Sequence, residues 1–199
     1  MVSQKWLIVI LVIIGVIVLG TETLLVRWYP GHKQRVEAAI LRQLPYQNEG
    51  LGLQMQIAFG IYGKVQDYAG GVKIYRPGLF GGGPSITISM QPNTSGSAQF
   101  SAQYMADLET EGTRNELAGY QFQHLTVNGR DAVLIWDYDS QTQAMNVTAR
   151  VMAPDRMVQA VCKTGYGHQG VLTRACDESL RSIQLSGPPS SLPTTSHGD

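Results

Sequence analysis

The chain has 199 residues, enough for one domain with terminal extensions. Its 15 Lys and Arg residues balance 15 Asp and Glu, and no basic stripe interleaves with aromatics, so the electrostatic footprint that nucleic-acid binding needs is missing. The 22 glycines and frequent Val, Ile, Thr and Tyr suit a turn-rich domain with much sheet, and two helical stretches turn the expectation to α+β.

Residues Trp6 to Val26 read WLIVILVIIGVIVLGTETLLV between Lys5 and Arg27, with Glu22 as the single charge. Such a run crosses about 30 Å of hydrocarbon as a helix, which predicts a short tail over 1–5 and a transmembrane anchor over 6–26. Trp6 at one end and Trp28 and Tyr29 at the other stand where amphipathic rings favour the two membrane interfaces, and Pro30-Gly31 ends the element. A cleaved signal peptide with Leu7 to Gly20 as its apolar stretch is the rival reading, although no small-x-small site follows before Arg27. Orientation rests on opposed signals. Arg27, Lys33, Arg35 and Arg42 favour a cytoplasmic domain by the positive-inside rule, whereas the very short tail and the two cysteines favour an oxidising compartment. We expect a single-pass membrane protein with its globular domain outside the cytoplasm, and membrane lipid as a partner through the anchor.

The stretch HKQRVEAAILRQL from His32 to Leu44 has near-helical apolar spacing and stops at Pro45, so 27–50 is expected to hold a juxtamembrane helix and a linker. A globular domain is expected over 51–186. Leu51 to Phe59 and Lys64 to Tyr75 are candidate strands, the second interrupted by Gly70-Gly71, and Ser85 to Met90 (SITISM) alternates as another. Ser97 offers an N-cap to an amphipathic helix whose stripe is Phe100, Tyr104, Met105 and Leu108, up to Gly112. Tyr120 to Val127, Asn128-Gly129 and Arg130 to Asp139 read as a hairpin, because Asn-Gly supplies the positive φ values of a type I′ turn. Ala144 to Ala153 and Met157 to Lys163 continue the meander around Pro154-Asp155. Val171, Leu172, Ala175, Cys176, Ser179, Leu180 and Ile183 then share the face of a closing helix. Residues 187–199 are Pro/Ser/Thr-rich and read as a disordered tail.

The early strands with SITISM, the amphipathic helix, the VNGRDAVLIWDYD hairpin and a terminal helix running into SLRSIQL resemble, in that order, the PsbP-type family of α/β/α sandwich domains. That family includes extrinsic photosystem subunits and bacterial envelope proteins. The resemblance spans about Leu51 to Leu185. It implies a mostly antiparallel sheet flanked by helices, and a binding or assembly role without enzymatic activity.

Motifs of chemistry are sparse. GLFGGGPS at 78–85 lacks both the Gly-Lys-Ser/Thr and the following helix of a phosphate loop. His32, His124, His168 and His197 lack metal-site spacing, so no metal and no cofactor are expected. Asp137 and Asp139 share a strand face and His124 lies on the hairpin partner, which permits a His-carboxylate contact, but no serine stands in a Gly-x-Ser-x-Gly elbow. The plainer reading is a solvated cluster of Asp137, Asp139 and Arg150. Asn93-Thr94-Ser95 and Asn146-Val147-Thr148 match the glycosylation triplet, which is common by chance.

Cys162 ends a strand on the face of Val158 and Ala160, and Cys176 lies on the apolar face of the closing helix, so both point into one layer. They are either two buried thiols or a disulfide, and we expect the disulfide. The functional expectation is a membrane-anchored extracytoplasmic binding or assembly module, an accessory to a membrane complex, whose partner is another membrane or envelope protein. Its alternatives are a membrane-tethered enzyme with a pocket near His124 and a scaffold facing the cytoplasm.

Overall fold

The structure is a computed structural model that describes residues 41–78, 83–115, 119–140, 143–165 and 170–187, together with Ile13, Ile14, Arg35, Ala38 and Ala39. The chain divides into two compact units, 1–40 and 41–199, and the fold below is that of the second. Trp6, Trp28, Tyr29, His32, His168, His197 and the tail beyond 187 lie outside the described residues, as does the expected anchor over 6–26 apart from Ile13 and Ile14.

Ten strands and two helices are described in this unit. Strands β1 (Leu44–Asn48), β2 (Leu53–Ile57) and β10 (Gln184–Leu185) form a small antiparallel sheet in the order β1-β2-β10. The other seven are β3 (Lys64–Tyr68), β4 (Gly71–Tyr75), β5 (Ser85–Pro92), β6 (Gln121–Val127), β7 (Arg130–Asp139), β8 (Ala144–Met152) and β9 (Arg156–Lys163). They form one antiparallel sheet in the order β3-β4-β5-β9-β8-β7-β6. Helix α1 spans Ala102–Asn115 and α2 spans Val171–Arg181.

Alternation decides the layers. Val72, Ile74, Ile86, Ile88, Val147, Ala149, Val158 and Ala160 put one face of the large sheet into the main core, where Leu53, Met55 and Ile57 of β2 and Ala175, Cys176 and Leu180 of α2 meet them. On the opposite face, Phe100 just before α1 and Tyr104, Met105 and Leu108 of α1 pack onto Val133, Ile135 and Phe122, which belong to the β6–β7 end of the sheet. The β6–β7 hairpin turns at Asn128 (φ 48°) and Gly129 (φ 78°), as the Asn-Gly pair predicts. Ser101, rather than Ser97, caps α1, its Oγ accepting from the Tyr104 N–H at 3.1 Å. The helix runs through Gly112, where a Cβ would make ordinary contact with Phe122.

The expected α+β architecture, an α/β/α sandwich of one helix-flanked sheet preceded by a transmembrane helix, is corrected on two counts. First, the described fold is mostly β, and one of the two flanking layers is itself a sheet plus a helix. Leu44–Asn48, read as the end of a helix and its linker, is a strand that pairs with β2 and holds it in a second sheet. Pro45 is tolerated there because β1 is an edge strand with one unpaired side. Second, among the described residues no helix is long and apolar enough to cross a membrane. Helix α1 has 14 residues and α2 has 11, each with charged positions along its length.

Candidate functional site

Cys162 and Cys176 form a disulfide between β9 and α2, with Cα atoms 5.8 Å apart and both residues fully buried. The geometry follows from the two periodicities: the core face of β9 ends at Cys162, and the buried stripe of α2 presents Cys176 opposite it. Tyr62, from the segment that joins the two sheets, donates its hydroxyl to this bridge, 3.2 Å from Cys162 Sγ and 3.7 Å from Cys176 Sγ. Burial pushes the Tyr62 phenol well above its ordinary range, so it stays a donor. No cysteine thiol remains among the described residues.

His124 does meet a carboxylate, though not the one the sequence reading considered. Its Nε2 lies 2.6 Å from Asp131 Oδ1, a diagonal contact across the hairpin, since His124 stands directly opposite Val133. The second oxygen of Asp131 accepts from the Phe100 N–H at 2.8 Å, so this carboxylate also fixes the approach to α1. Asp137 stands opposite Asn146 and Asp139 opposite Ala144, both near the far end of β7. Arg150 does not join them. It donates to Tyr104 and to Gln159 Oε1 and lies 5.7 Å from the Tyr104 ring centre, which draws α1 onto the sheet. The expected cluster of Asp137, Asp139 and Arg150 is therefore corrected: Arg150 is spent on the helix.

Two shallow clefts open on the surface. One of about 470 Å³ lies beside Trp136, Met145, Arg174 and Asp177, and one of about 270 Å³ lies beside Arg130, Asp155 and Arg156. His124 lines neither.

The feature that the sequence reading missed is the half of the large sheet that, among the described residues, no helix or second sheet covers. Register places three rows of side chains on the face that α1 shares. The first runs Lys64, Tyr75, Ser85, Lys163. The second runs Gln66, Lys73, Thr87, Val161. The third runs Tyr68, Gly71, Ser89, Gln159. Helix α1 sits on the β6–β7 end of this face, and at the β3–β4–β5 end Lys64, Gln66, Tyr68, Lys73 and Lys163 are exposed. Lys73 Nζ lies 5.4 Å from the Tyr75 ring centre. The Tyr68 hydroxyl turns back to donate to the Ile88 carbonyl at 2.9 Å, with its ring laid over Gly71, where a Cβ would collide with it. All three lysines from residue 41 onward, Lys64, Lys73 and Lys163, stand in these rows, which hold no carboxylate across these four strands; the first row continues through Asn146 on β8 to Asp137 on β7. The signal was present as strand parity, which needs the pairing to be known before residues from four segments can be assigned to one face.

No family model matches the sequence, and no curated protein matches it. A crystal structure from Bacteroides thetaiotaomicron VPI-5482 is similar with a TM-score of 0.44 and 12% identity, over 72% of this chain and 48% of that one. The chain thus spans about half the length of the solved structure it matches.

Proposed function

We propose that this chain is an extracytoplasmic binding or assembly module that docks another envelope or membrane protein, the role implied by its resemblance to PsbP-type domains. The observation that carries the reading is the half of the seven-stranded sheet that no described helix or second sheet covers. An antiparallel sheet can leave one polar face to water, but across β3, β4, β5 and β9 this one gathers lysines without a carboxylate, the nearest acid in their rows being Asp137 on β7. The Cys162–Cys176 disulfide supports the compartment, because such bridges persist where thiols stay oxidised.

In-cell photo-crosslinking tests the reading. A photoreactive residue at Thr87, on the open half, captures one protein species in stoichiometric yield, whereas the same group at Glu109, on the exposed side of α1, captures none. Equal, diffuse labelling from both positions overturns the proposal.

A further inference from the structure

We propose, resting on that reading, that the partner presents an acidic protein segment and that Lys64, Lys73 and Lys163 recognise its carboxylates. The argument starts from segregation of charge. The second unit holds eight arginines, none of them in the rows that carry the lysines, and four are tied to other groups. Arg150 holds Tyr104, Arg156 holds Asp155 and the Gly187 carbonyl, Arg181 holds Asp177 and Gln123, and Arg76 holds the Gly60 carbonyl. The lysines, flexible point charges, are collected on one face instead. Asp67, the one acid in β3, β4, β5 and β9, alternates onto the opposite face of β3.

Lys64 and Lys163 lie in the same cross-strand row, three strand spacings apart, or about 14 Å. Lys73 stands between them one row along, on β4. The three ammonium groups therefore frame a patch centred on the half-buried Tyr75 and Thr87, whose hydroxyls can donate to carboxylates or meet a main chain, while Ser85 between Tyr75 and Lys163 is buried. Like-charge repulsion disfavours a second copy of the chain, which would set six lysines face to face. A lipid surface fits less well, because the one aliphatic side chain in these rows, Val161, is half-buried, Val65 points to the other face and the Tyr68 ring lies down on Gly71. Single-stranded nucleic acid would need free rings to stack on, whereas Tyr68 is held by the Ile88 carbonyl and the ring of Tyr75 is half-buried with the Lys73 ammonium over it.

The test uses the full chain and a labelled poly-glutamate peptide as probe, with anisotropy read across a salt series. The wild type binds at low ionic strength with an affinity that falls as salt rises. The triple variant K64E/K73E/K163E loses roughly tenfold or more in affinity, while R114E, a charge reversal of equal sign at the exposed end of α1, does not. All three lysines are exposed, so the triple variant keeps its fold, which circular dichroism checks. Absent peptide binding, equal binding by the triple variant, or stronger binding to phosphatidylglycerol vesicles or single-stranded DNA than to the peptide overturns the inference. If Thr87 still crosslinks its partner in cells when the lysines are reversed, the docking face stands and the acidic partner falls. If Thr87 captures nothing in the wild type, the docking face itself falls.

Discussion

Tyr62 shows how a single hydroxyl joins three parts of the fold. It comes from the segment between the two sheets and is 1% exposed, and its O–H ends on the bridge that links β9 to α2. Cys162 and Cys176 are 14 residues apart, and closing a loop of that length stabilises by about 3 kcal/mol in the chain-entropy model. Denaturant unfolding of the C162S/C176S variant is therefore expected to show a loss of that order, and a change under about 0.5 kcal/mol contradicts it. Tyr62 also sets an alkaline limit. Its phenol is raised in the folded state by burial, and that of Tyr120 is pushed up to about 12 by burial and then by the Glu111 carboxylate. A raised acid contributes stability that is fully present below the unfolded value near 10 and is lost as pH climbs toward the folded value. Unfolding midpoints should thus be flat with respect to these two groups below pH 10 and fall above it, and Y62F should soften the fall. An unchanged alkaline slope in Y62F removes Tyr62 from the account. Arg156, 2% exposed, plays a matching part at the other end of the core. It reaches the Gly187 carbonyl at 2.7 Å and lies 3.4 Å from that of Gly52, so it ties β9 to the small sheet.

Elements with a strong local code were the ones the sequence specified. Asn128-Gly129 set the hairpin turn and its register, because only residues tolerant of positive φ fit there. The closing helix was readable from the spacing of Ala175, Cys176, Ser179 and Leu180, and the same spacing aimed Cys176 at the strand that carries Cys162. Strands β1 and β10 were not readable. Leu44–Asn48 contains a proline and Gln184–Leu185 has two residues, so neither shows a period, and both exist only because β2 pairs with them on its two sides. The His124–Asp131 contact escaped for a related reason: the sequence placed His124 on the hairpin, but register and α1 together selected the carboxylate. Two substitutions test the elements. Asn128 also donates its side-chain amide to the Ile183 carbonyl at 2.7 Å, so N128A loses both the turn preference and that bond. We expect N128A to cost roughly 1–3 kcal/mol by thermal unfolding and N128G clearly less, since glycine keeps the positive φ. At Gly71 a Cβ would collide with the Ile88 carbonyl as well as with the Tyr68 ring, so G71A should destabilise the β3–β4–β5 edge and speed amide exchange there first. Exchange that rises equally across both sheets contradicts that local effect.

At the scale of the whole unit, the described layers are unequal in area. The small sheet and α2 cover the core face of the large sheet, but α1 alone cannot cover the other face and sits at its β6–β7 end. Among the described residues that inequality leaves the lysine-bearing rows open, and it arises from pairing between distant segments, which composition and local periodicity do not report. The balanced total of 15 basic and 15 acidic residues hides it entirely, because the segregation appears only once β3, β4, β5 and β9 are set side by side. The central claim is that this open half is where the molecule binds. Hydrogen–deuterium exchange on the complex recovered through the Thr87 crosslink, compared with the free protein, tests it most directly. The account predicts added protection in β3, β4, β5 and β9, strongest along the exposed edge at Lys64–Tyr68. Protection concentrated instead in β1, β2 and β10, or on α2, would contradict it.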